Sequence, residues 1–334
     1  MPVVSVGDMA QQFNAMRNSG AIKTELSSLA KSMSTGRVAD ITAHLDGQTT
    51  QFSGINYSLT QLDGYLQTAS ETRQTLVGVQ IVLDKLDASR NETSAQLLLL
   101  SSSSTTAQVD EAGRAARGAF DTMVSTLNTQ LADRALMGGA AVDGPPLASA
   151  NDMMADLQTF IGGATTQAAI ETAIDYWFDD PAGGFATMGY LGDAGPAVQR
   201  RVTENKVVGI DARANDPAVR DVLKSAAYAA VANDLPGLDN QTKSGLLRDA
   251  GVRLFAGASG LIAVQARIGF VEESVDRGMV EMNAQRTALA ISKNDLISAD
   301  PFDTASRLQS VQLQLETHFT VTARMSKLSL LGYI

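Results

Sequence analysis

At 334 residues and 44% hydrophobic content, the chain is long enough for about two to three domains with packed cores. A net charge of −10 offers no basic stripe to nucleic acid or to an anionic membrane surface, so no nucleic-acid partner is expected. With no cysteine and only His44 and His318, disulfides, thiolate chemistry and histidine-rich metal sites are excluded, and no cofactor is expected.

The first stretch, MPVVSVGDMAQQFNAMRNSG, has neither a basic n-region nor a continuous apolar h-region, so a cleaved signal peptide is not expected. A helix begins within it. Val6, Met9, Phe13, Met16, Ile22, Leu26, Leu29 and Met33 fall mostly three or four apart, and Gly36 in STGRV supplies a stop. His44 follows in a loop-like stretch. A longer helix then carries Phe52, Ile55, Leu59, Leu62, Leu66, Ala69, Leu76 and Leu83 along one seam, which Arg73 and Gln80 interrupt. Arg73 fits either an ion pair on that seam or a side chain reaching out to water. LLLLSSSSTT, at 97–106, reads as a helix break with a capped restart between Ser104 and Thr106 rather than as a hinge. The next helix is expected over 107–135, before a turn-rich break at Gly138, Gly139, Gly144, Pro145 and Pro146.

A different composition occupies the middle. NDMMADLQTFIGG and TQAAIETAIDYWFDD read as short helices, with Trp177 as core or, less simply, as an exposed contact. Val198, Val202, Val207, Val208 and Ile210 suggest a hairpin turning near Glu204 and Asn205, and Asp216 with Pro217 opens another helix. Beyond it, Leu261, Ile268, Val275, Met282, Leu289 and Leu296 recur at every seventh position, with Val264, Val271 and Gly278 between them. In ADPFD, Asp300 is a cap, Pro301 a first helical residue and Asp303 a favourable first-turn charge. The stripe that follows is Leu308, Val311, Leu315, Phe319, Thr322 and Met325, with His318 as a half-buried helix histidine or a pH-sensitive contact. No run of eighteen apolar residues occurs, so no membrane insertion is expected. The end itself is apolar, at Leu328, Leu330, Leu331, Tyr333 and Ile334, and needs something to cover it.

These elements predict a mainly α fold: a long antiparallel helical rod built from both chain halves, with a small α/β-type domain inserted in the middle. Residues 52 to about 90 are expected to lie against 261–296. The divisions are an N-terminal assembly helix at 1–40, the first rod half at 41–137, the insertion at 138–215, return helices at 216–299 and a C-terminal assembly helix at 300–334. Aromatic residues make up only 5% of the chain, which suits thin helical layers.

Enzymatic motifs are missing. There is no phosphate loop, no G-x-G-x-x-G after a strand and no H-E-x-x-H. AGASG at 256–260 has Ala256 where a nucleophile elbow needs glycine, and no strand precedes it. The chain reads as a non-enzyme, either a polymerising subunit or a helical adaptor or sensor fragment that dimerises through its heptads.

Three stretches carry a resemblance. DRALMGGAAVDGPPL, GIDARANDPAVRDVLKSAAYAAVA and SADPFDTASRLQSVQLQLETHFTVTARMSKLSLLGYI resemble the flagellin family, and within it the hook-filament junction proteins (third hook-associated proteins) of alphaproteobacterial type. The tail lacks the glutamine-, asparagine- and proline-bearing segment of filament flagellins, so the junction type is favoured over a filament subunit. The resemblance implies an extracellular flagellar subunit, exported without signal cleavage through the flagellar type III channel. Its partners would be itself, another hook-associated protein, flagellin and an export chaperone. It further implies that the terminal helices pair only inside the polymer. The assembly interface would then comprise Val6, Met9, Phe13, Met16, Leu26, Leu29, Leu308, Val311, Leu315, Phe319, Met325, Leu328, Leu331, Tyr333 and Ile334.

Overall fold

The computed structural model describes residues 6–331 apart from 48 and 102, and the side chains within that range apart from those of 6–8, 11, 12 and 326–331. The expectations for the side chains of Val6, Leu328, Leu330, Leu331, Tyr333 and Ile334 lie outside the described residues. The chain is mainly α, with long antiparallel helices drawn from both of its halves.

Helix α1 (Val6–Thr35) stops where expected, at Gly36 with φ +66°, whose N–H donates to the Ser32 carbonyl. His44 is the exposed last residue of a short helix, α2 (Ile41–His44), rather than part of a loop. The 50-residue α3 (Thr49–Leu98) ends inside the leucine run, and α4 (Thr106–Leu127) restarts from a capping box between Thr105 and Gln108. The helix expected over 107–135 is shorter than that. Asn128 leaves the helical register and its side chain binds the backbone of Leu147 in both directions, at 2.8 and 3.0 Å. A tight turn with positive φ at Ala132 and Asp133 then joins strands β1 (Gln130–Leu131) and β2 (Arg134–Ala135).

Helices α5 (Ala150–Ile161) and α6 (Gln167–Asp179) follow, then a π-helical turn at Phe185–Gly189. Strands β3 (Val198–Thr203) and β4 (Lys206–Ile210) form the expected hairpin, antiparallel with Val198 opposite Ile210 and a register shift between Arg201 and Thr203. Trp177 is fully buried, and its indole N–H donates to Asp156 at 2.7 Å. The two ends of this segment are tied together: Gly138 bridges to Arg213, and Ala214 donates to the Met137 carbonyl. Glycine is required at 138, where a Cβ would lie 2.3 Å from the Ala141 carbonyl oxygen.

Asp216 caps α7 (Pro217–Asp234), as its Asp-Pro start suggests, and α8 (Asn240–Ala256), α9 (Ala258–Ile297) and α10 (Pro301–Leu331) complete the chain. The Asp300 carboxylate accepts from Phe302 and Asp303 at 2.8 and 3.0 Å.

Two compact units form, Met1–Asp63 with Asn283–Ile334, and Gly64–Met282. In the second, α7 is buried along nearly its whole length, and its small residues from Ala226 to Ala232 let α4, α6 and α8 approach closely. The antiparallel pairing of α3 with α9 is fixed here by side chains. Gln80 donates to the Gln265 carbonyl at 2.9 Å, Gln265 to Asp84 at 2.7 Å, and Arg73 pairs with Asp276 at 2.8 Å. The seam residues Leu76, Leu83, Leu261, Ile268, Val275 and Met282 are buried. One stretch, within Asn240–Ile297, is long and apolar enough by length and composition to cross a membrane. The expectation from the sequence rested on continuous apolar runs, whereas this stretch passes on average hydropathy, as core helices that cross no membrane also do. Helix α9 carries apolar residues on two sides, the packed seam and an exposed set including Ile262 and Phe270, and single polar residues interrupt the run without lowering its average much.

Candidate assembly interface

The first unit is built around the pairing of α1 with α10. Their antiparallel sense is set at one end by Ala299, which donates to the Gly36 carbonyl at 3.0 Å, and by Val38, which donates to Ile297 at 2.9 Å. Farther along, the Lys23 ammonium lies 5.6 Å from the centre of the Phe319 ring. Ile22 and Val311 are buried, and Leu26, Leu29, Leu308 and Leu315 are half-buried. His318 is half-buried too, edge-on to Phe319, with its Nδ1 buried and without a hydrogen-bond partner among the described residues.

The single N-terminal stripe read from the sequence is two stripes. Met9, Phe13 and Met16 are exposed, at 65%, 72% and 65%. The six-residue step from Met16 to Ile22 carries the pattern about 120° round the helix at 3.6 residues per turn, so the first three residues face away from the Ile22 side. Helix α10 behaves similarly. Val311 is buried and Phe319 and Met325 are about half exposed, whereas Phe302 and Leu313 stand in solvent. Those two were not singled out from the sequence, although their eleven-residue separation, three helical turns, was a signal for a second face.

The seam residues of α3 and α9 that fall in this unit are less buried than those in Gly64–Met282. Ile55 is buried, while Phe52, Leu59, Leu62, Leu289 and Leu296 are half-buried and Ile297 is the buried residue at the end of α9. In the other unit, Leu66 is half-buried as well. Polar contacts supplement the thin seam: Arg286 pairs with Asp63 at 2.8 Å, and Lys293 lies over the Phe52 ring. Helical pairs thus hold this unit together, while Met9, Phe13, Met16, Phe302 and Leu313 remain exposed.

No protein-family model matches the chain, and no curated protein matches it either. Solved structures do. One from Vibrio parahaemolyticus, named as a flagellar hook-associated protein, is 12% identical, with a TM-score of 0.54, over 75% of this chain and 99% of that one. Bacillus cereus FlgL is 14% identical, with a TM-score of 0.49, over 72% of this chain and 99% of that one. At that identity the Vibrio structure shows that the two chains share a fold.

Proposed function

We propose that this chain is a structural subunit of the bacterial flagellum that joins hook to filament and polymerises through its terminal helices. The observation that carries the reading is the doubly apolar α1–α10 pair, with Met9, Phe13, Met16, Phe302 and Leu313 exposed. Each large apolar side chain covered on assembly contributes about 1.5–3 kcal/mol. The fold shared with a hook-associated protein gives that surface its setting. In this reading residues 1–40 and 300–334 are assembly segments, and the partners are further copies, another hook-associated protein, flagellin and an export chaperone. The chain works outside the cell and as a scaffold rather than a catalyst.

Gene deletion in the host with immunogold labelling tests the role. Deletion should leave hooks without filaments, and the label should form one band at the hook tip. Label along the whole filament would identify a filament subunit instead. Unimpaired motility in the deletion strain would remove the flagellar reading and leave a helical adaptor as the alternative.

A further inference from the structure

Charge is divided unevenly along the chain. Residues 1–63 and 283–334 carry nine acidic and nine basic side chains, so the whole net charge of −10 falls on residues 64–282, with 27 acidic against 17 basic. Within the electroneutral unit, one cavity of about 390 Å³ gathers cations. It is lined by Arg37, Arg286, Lys293, Asp63, Asn56 and Asn294, among others. Arg286 is matched by Asp63, but among the described residues neither Arg37 nor Lys293 has a carboxylate within ion-pair distance. Lys293 rests on the Phe52 ring at 5.7 Å, which positions its ammonium without neutralising it. Two amide side chains beside the charges can supply further N–H donors to an oxyanion.

We propose that this cavity receives carboxylates from the acidic 64–282 unit of a neighbouring copy. Charge complementarity selects that occupant: three cations meet one anion in the cavity, and the surplus carboxylates of the same chain all lie in the other unit. The inference rests on the proposed polymerisation and adds to it a second, polar contact whose strength depends on salt. Apolar terminal faces then supply most of the binding and the cavity sets which neighbour docks.

Sedimentation of the full chain across a concentration series tests it. The wild type should self-associate, with a critical concentration that rises between about 50 and about 500 mM NaCl as exposed charges are screened. Arg37→Gln with Lys293→Gln should raise the low-salt critical concentration roughly tenfold and flatten the salt response, with far-UV circular dichroism unchanged. Single charge reversal, Arg37→Glu, should act in the same direction. Association indifferent to salt and retained in the double variant would overturn the cavity's role while leaving the apolar polymerisation standing. A wild type that stays monomeric at every salt would overturn both.

Discussion

Trp177 anchors the mixed segment, and its surroundings show how tightly a single residue can be held. Its ring meets Phe178 edge-on at 4.7 Å and Phe185 at 6.2 Å, its N–H is satisfied by Asp156, and Gly184 leaves no room beside it. A Cβ at 184 would fall 1.8 Å from the indole nitrogen. Gly184→Ala should therefore destabilise the protein by about 3 kcal/mol, read as a lowered urea midpoint at constant slope. Tyr228 and Tyr190 are also tuned by position. Burial pushes both phenols up, and hydrogen bonding to Asp175 adds to the effect at Tyr228, while Tyr190 reaches about 12. Burial pulls Lys224 down, but a hydrogen bond to Asp179 and the nearby carboxylates of Asp175, Asp179 and Asp221 outweigh it, and its pKa is raised. In all three the folded state holds a proton that the unfolded chain releases first. The contribution of these three groups to stability should be constant below about pH 10 and fall as the pH rises past the ordinary tyrosine value. Melting temperatures at pH 8–11 check this, and Tyr190→Phe should make the alkaline decline shallower.

Among the elements, α3 and α9 show what periodicity reveals and what it hides. The heptads at Leu261, Ile268, Val275 and Met282 pointed directly to a buried seam, because a helical period needs no tertiary knowledge. The caps at Asp216 and Asp300 were equally legible from local chemistry. What stayed hidden depends on distant residues. Asn128 ends α4 through the Leu147 backbone, nineteen positions away, and no local breaker marks it. Arg90, in the same helix as the seam, is buried at 4% exposure, paired with Asp87 at 2.7 Å and donating to the Leu254 carbonyl at 2.9 Å in the last turn of α8. Nothing in its neighbours distinguishes it from Arg73, whose ion pair with Asp276 is half exposed. The two should behave differently in denaturant. Arg73→Met should cost under about 1 kcal/mol, as exposed pairs do. Arg90→Met should cost about 2 kcal/mol or more, because it leaves a carbonyl at a helix end without its charged donor. The two faces of α1 were half legible: the six-residue step from Met16 to Ile22 already parts Met9, Phe13 and Met16 from the Ile22 side, but only packing shows which of the two faces is covered.

At the scale of the molecule, two units differ in how they spend their apolar residues. Gly64–Met282 closes its core around α7 and the α3–α9 seam, with Trp177, Tyr228 and Phe120 fully buried. The unit formed by the chain's two ends leaves apolar faces open on both of its long terminal helices. Folding and assembly should therefore separate by mutation, and that separation is the central claim. It is tested most directly by comparing the full chain with a Met9→Asp, Phe13→Asp, Met16→Asp variant, measuring polymer formation by sedimentation and stability by thermal melting. A carboxylate carried into an apolar contact without a partner costs several kcal/mol. The variant should stay monomeric at concentrations where the wild type forms polymer, and its melting temperature should match that of the wild-type monomer within a few degrees. A variant that polymerises like the wild type, or that melts far below it, would contradict the account.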